Sequence, residues 1–145
     1  MEFQTDAQKQ CYEKVAPWVK EIFGDFAVVR DDRPVFMVNV GSAISHTAVY
    51  PWGDDDATIC TRAWVVQDAE MTPELMRYLL TTNDTMRFGA FGIDEDDDIF
   101  FEHTIVGSTC DRDELKTSIM AVVTTADRLD DEIIARWGGT RAMDK

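Results

Sequence analysis

Basic residues are scarce in this chain. Its 145 residues hold 14 Lys and Arg against 28 Asp and Glu, a net charge of -14. Phosphate recognition needs clusters of cations, so this balance argues against nucleic acid and anionic membrane as partners. Cysteine is also sparse. Cys11, Cys60 and Cys110 are odd in number and far apart, which suits a reducing cytoplasm better than a disulfide framework. No apolar run approaches the about 20 residues of a membrane span. The start, "MEFQTDAQKQ", lacks the basic and apolar regions of a signal peptide.

Signatures of chemistry are missing as well. His46 and His103 are the only histidines, and neither stands in an HExxH or beside a CxxC, so zinc spacing is absent. "GSA" at Gly41–Ala43 is no nucleophile elbow. "FGAFG" at Phe88–Gly92 does not open a helix as a dinucleotide fingerprint must. The acidic run Asp94–Asp98 fails as a calcium loop, because Ile99 and Ile105 occupy the positions that need Gly and a bidentate Glu. A charged hairpin tip accounts for it instead, and "GDDD" at Gly53–Asp56 reads the same way. The expectation is no catalytic residue, no metal and no cofactor.

What is present is a folded α+β pattern, expected to form one domain over 1–145. Thr5 and Gln8 fit a capping box, and Cys11, Val15, Trp18, Val19 and Ile22 recur at helical spacing. A first helix is predicted over about 6–23, with Gly24 as its stop and Pro17 expected to kink it or break a backbone bond. "FAVVR", "VFMVNV", "SHTAVY" and "ATICTRAWVV" then read as strands joined by short turns, hence an antiparallel meander. Thr72-Pro73-Glu74 starts a short helix that ends near Asn83. "FGAFGI" and "IFFEHTIV" form two more strands, with Ile99, Phe101, His103 and Ile105 toward the core. Asp111 and Glu114 cap a long last helix, about 112–137, along which Leu115, Ile119, Val122, Ala126, Leu129, Ile133 and Trp137 follow at spacings of three and four; Leu115, Ile119, Val122, Ala126, Ile133 and Trp137 are expected to face inward. At about 38 Å it exceeds what a small sheet needs, so part of it is expected to meet the first helix or a second subunit. The tail "TRAMDK" is expected to be loose. The resulting order is an antiparallel sheet of about five to six strands with an N-terminal, a short middle and a long C-terminal helix.

Three segments carry a family likeness: "VYPWGDDDATICTRAWVV", "ELMRYLLTTNDTMRFGAFGIDEDDDIFFEHTIVG" and "TTADRLDDEIIARWGG". Together, over about residues 34–139, they resemble the YbjN-like proteins, grouped with the type III secretion chaperone-like fold. The resemblance implies a secretion chaperone-like α+β domain. It also implies a non-enzymatic, peptide-binding or regulatory role, commonly as a homodimer. The expected partner is an unknown protein or peptide, held in an apolar groove or at a sheet edge, with acidic rims selecting basic segments. Trp52 is a binding candidate because it lies in a turn between Pro51 and Gly53, where a large ring can stand exposed. Trp64 and Asn83 are the other partner-binding candidates. Two rival readings remain. One is an acidic inhibitor or immunity-type protein occupying a basic site. The other is a cysteine-dependent enzyme using Cys60 or Cys110 with His46 or His103.

Overall fold

The computed structural model describes residues 1–142. Helix α1 spans Asp6–Phe23, and the Thr5 hydroxyl accepts the Gln8 N–H at 3.1 Å. The Gln8 carbonyl oxygen turns back to the Gln4 N–H at 2.7 Å, while its amide NH2 donates to the Val49 carbonyl at 2.9 Å. One capping residue thus also ties the helix to the sheet. Helix α1 runs on through Pro17, at the cost of the backbone bond that Pro17 cannot donate. Pro17 and Glu13 both lie on the exposed side, so the carbonyl that Pro17 leaves without a donor faces water.

The strands are β1 (Ala27–Val29), β2 (Val35–Val40), β3 (Ala43–Trp52), β4 (Asp56–Gln67), β5 (Ala90–Ile93), β6 (Ile99–Val106) and β7 (Thr140–Arg141). They form one antiparallel sheet in the order β1-β2-β3-β4-β6-β5. The expected strands are all present, but the tail is not loose up to its described end: β7 pairs with Val66 and Gln67 at the end of β4. Helix α2 (Pro73–Asn83) joins β4 to β5, and its cap Thr72 accepts the Leu75 N–H at 3.1 Å. The closing hairpin then folds back so that β6, not β5, pairs with β4.

Helix α3 (Arg112–Trp137) is capped by Asp111, which accepts the Glu114 N–H at 2.8 Å. It lies across β2, β3, β4 and β6 and also touches α1 and β7. Its inner face is therefore occupied within the chain along its whole length. Leu115 and Ile119 join Cys11, Val15, Val19, Phe36 and Ile59 in one apolar cluster. Val122, Val123, Ala126, Ile133 and Trp137 join Leu75, Leu79, Phe91 and Phe101 in another. Val40 and Met120 pack against both. His103 lies on the core-facing set as predicted, its Nδ1 2.8 Å from the Ser118 hydroxyl of α3.

Most packing partners of the helices come from alternate positions of the strands: Phe36 and Val38, Val49, Ile59 and Ala63, Phe91 and Phe101; the consecutive Val65 and Val66 lie where β4 shifts register. Alternate side chains point to opposite faces, so the helices occupy one face of the sheet and leave the other uncovered.

Candidate functional site

The register lines up the residues of the uncovered face in rows. One row runs Glu102, Arg62, His46, Met37 and Val28 across β6, β4, β3, β2 and β1. Beside it runs Thr104, Cys60, Ala48 and Val35, and on the other side Gly92, Phe100 and Trp64. Toward the far end stand Val106, Thr58 and Tyr50, then Trp52. Four of the large apolar side chains here are more than half exposed: Val28 at 59%, Tyr50 at 53%, Trp52 at 69% and Val106 at 51%. Such a concentration on one face is what a docking surface presents.

A groove of about 420 Å³ opens in this face, lined by Arg30 and Arg33 from the β1–β2 connection and by Met37, Tyr50, His46, Cys60, Arg62, Trp64 and Glu102 from the strands. Arg62 is held rigidly at its centre. Its Nη2 and Nε donate to Glu102 Oε1 at 3.1 and 3.2 Å. Its guanidinium lies 3.8 Å from the Phe100 ring centroid and 5.5 Å from that of Trp64. Stacking and a fork of hydrogen bonds together fix the orientation of the cation. Gly92 leaves room for the Phe100 ring, which a side chain at that position would displace from where it lies. Arg30 and Arg33 bracket Asp32, at 2.8 and 3.1 Å.

Trp64 also explains the acidic tip. Its Nε1 donates to Asp94 Oδ2 at 2.9 Å, and Asp94 Oδ1 accepts the N–H groups of Asp96 and Asp98 at 2.9 and 3.0 Å. The Trp64 hydrogen bond, ahead of those from the backbone, holds the Asp94 carboxyl below its ordinary range. Asp97 takes the left-handed conformation, φ 62°, that closes the turn. Oxygens of Asp94, Asp96 and Asp98 lie within 4.8 Å of one another, but Asp94 is already serving as the acceptor that shapes the hairpin.

The thiols are held protonated. Cys60 donates to Glu102 Oε1 at 2.8 Å, and burial followed by this hydrogen bond pushes it up to about 11. Burial likewise pushes Cys110 up to about 11, with its thiol directed at the Asp111 carbonyl at 3.2 Å. A nucleophilic cysteine needs the opposite environment. His46 shares the face of Cys60, and its pKa is lowered by burial and then by the nearby Arg30 charge. His103 is on the covered face against Ser118.

Of the binding candidates, Trp52 and Trp64 stand on the same face but at opposite ends. Trp52 pairs with Asp56, eight residues along β4 from Trp64, about 26 Å at 3.3 Å per residue. Asn83 lies elsewhere, at the end of α2. Its Oδ1 accepts the Phe91 N–H at 2.6 Å and its Nδ2 donates to the Phe91 carbonyl at 3.2 Å, so the amide acts as a short stand-in for a next strand at the β5 edge.

Comparison with known proteins follows the same line. A family profile described as T3SS (YopN, CesT) and YbjN peptide-binding chaperone 1 matches residues 9–145. The chain belongs to this family. No curated protein sequence matches it. A solved structure, described as the crystal structure of the ExsC-ExsE complex, superposes with a TM-score of 0.67 at 13% identity. The match covers 88% of this chain and 96% of that one, and at such identity it establishes the fold.

For this peptide-binding chaperone family member, sequence reasoning missed most of the uncovered face. Arg62, Phe100, Met37, Tyr50 and the arginines of the β1–β2 connection were not singled out. The signal was there in part: "TICTRAWVV" alternates Cys60, Arg62 and Trp64 against Ile59, Thr61 and Ala63. Alternation separates two faces of a strand. It does not say which neighbours share a row.

Proposed function

We propose that this chain is a peptide-binding chaperone that lays an extended segment of a partner protein across the uncovered face of its sheet. The observation that carries the reading is the groove around Arg62, on a sheet face that also exposes Val28, Tyr50 and Trp52 and that no helix among the described residues covers. An extended peptide presents alternate side chains to such a surface, so apolar residues two apart meet successive rows. Trp52 and Trp64 belong to this surface and Asn83 to the edge that bounds the fold. The role is one of binding, not catalysis.

A cytoplasmic setting and action as a single domain complete the proposal. The cysteines support the first: Cys11 and Cys110 sit in one apolar cluster and remain free thiols. Among the described residues no helix is long and apolar enough to cross a membrane.

The test uses two substitutions at exposed positions, Tyr50→Asp and Trp52→Asp, with Thr124→Asp on α3 as a control. Thr124 is exposed on the helix side of the sheet, away from this face. Peptides selected from a random display library against the native chain should lose at least about tenfold in affinity with either sheet variant, roughly 1.4 kcal/mol, and be indifferent to the control. Equal binding by all three variants would place the peptide elsewhere.

A further inference from the structure

We infer that the segment this face receives is acidic: the groove around Arg62 holds a partner's Asp or Glu side chain between arginines. The inference rests on the peptide-binding reading above and specifies its ligand.

The local charge runs against the whole. The chain carries two acidic residues for each basic one, yet three of the four charged residues lining the groove are arginines. The fourth, Glu102, is already engaged, its Oε1 accepting from Arg62 and from the Cys60 thiol. Asp32 is spent between Arg30 and Arg33, and Asp94 is engaged by Trp64 and two backbone N–H groups. His46, in the lining, feels the result. Burial lowers its pKa, and the Arg30 charge lowers it further.

The geometry matches the charge. Arg30 and Arg33 have side chains 42% and 61% exposed and stand at the rim; they share the single carboxylate of Asp32, which leaves guanidinium N–H groups of both over for a ligand. Arg62, stacked on Phe100, presents an oriented guanidinium. Arginine forks bind carboxylates with paired, charge-assisted hydrogen bonds. Met37 and Tyr50 supply apolar contact on either side. The peptide class is therefore an extended segment with an acidic residue flanked at alternate positions by aliphatic or aromatic ones. The overall charge repels such a segment at long range. At physiological salt that repulsion is screened beyond about 8 Å, whereas contacts in the groove are not. A basic segment, favoured by the overall field, would meet the arginines and be rejected in the groove.

A random 12-residue display library panned against the full chain at physiological salt decides the matter. Selected peptides should be enriched in Asp and Glu next to apolar residues. A selected peptide should bind at least tenfold more weakly to the double variant Arg30→Gln, Arg33→Gln, whose exposed positions leave folding intact. The same peptide should raise the pKa of His46, followed by NMR, and its Asn/Gln counterpart should not. Enrichment in Lys and Arg, no charge preference, or indifference to the loss of both arginines would overturn the inference while leaving the chaperone reading standing. Recovery of no binding peptide at all would overturn both.

Discussion

Ser42, Asp127 and Asp130 show how one proton can organise a tertiary contact. The Ser42 hydroxyl lies 2.6 Å from Asp127 Oδ1 and 2.6 Å from Asp130 Oδ2. A hydroxyl has a single proton, so it cannot donate to both carboxylates. Asp127 also accepts the Ser42 N–H at 2.7 Å, which together with the hydroxyl holds its pKa low. Asp130 is 2% exposed, with Oδ1 unpartnered among the described residues, and burial raises its pKa. The consistent assignment is a neutral Asp130 donating to Ser42, which donates to an ionised Asp127. Gly41 makes the approach possible, because its φ is 59° and a side chain there would strike the Asp127 carboxylate. The sign of the pH effect follows. The folded state keeps a proton on Asp130 that the unfolded chain releases in the ordinary carboxylate range, so this group's contribution is fully present at acid pH and is lost as pH rises. Asp130→Asn removes that dependence and keeps an amide donor for Ser42. The melting temperature of the variant relative to the native chain should climb between about pH 4 and pH 7. A difference that stays flat across that range would mean Asp130 is not the proton carrier.

Edges are the exposed parts of an open sheet, and at β5 the chain closes one with a side chain. An unpaired edge strand templates association with other strands. Asn83, projecting from the end of α2, satisfies both the N–H and the carbonyl of Phe91. Asn83→Ala would strip two part-buried backbone groups of their partner, at a cost of about 1–3 kcal/mol. Chemical denaturation should register that loss, and the Phe91 amide should exchange faster with solvent. A change below about 0.5 kcal/mol with unaltered exchange would show that water replaces the amide freely. The core helix α3 is more sensitive. Ile119 is fully buried between the sheet and α1, and Ile119→Ala should cost about 2–5 kcal/mol in the same measurement. Less than about 0.5 kcal/mol would contradict its burial.

Assembly is a property of the whole molecule, and here we propose a homodimer. The length of α3 gives no reason for one, because the sheet and α1 cover it within a single chain. The remaining motive is apolar surface outside the groove: on α2, Met76 and Leu80, one turn apart, are 41% and 70% exposed. The net charge of -14 opposes association of like subunits, but it is screened at physiological salt, while apolar burial acts at contact. Raising salt should therefore tighten the dimer. Light scattering at micromolar protein should give about twice 16.5 kDa. A mass of one chain, unchanged on adding salt, would dispose of the dimer.

The sequence by itself determined the elements, because the signals that set them are local. Caps at Thr5, Thr72 and Asp111, the helical spacing from Leu115 to Trp137 and the acidic turn after Ile93 all act within a few residues, and each lies where the pattern placed it. The family likeness was equally legible, since it rests on contiguous segments. What Pro17 costs α1 depends on which side of the helix faces water, which is a matter of packing. Only the tertiary structure decided the groove. Arg62, Phe100 and Trp64 come from two strands separated by α2 and β5, and Arg30 and Arg33 from a third region of the chain. Which residues share a row depends on register and strand order, and those are settled by long-range pairing that leaves no mark at any one position. The same holds for Asn83, whose partner Phe91 is named by no motif, and for Asp130, whose neutrality arises from burial against a turn 88 residues away.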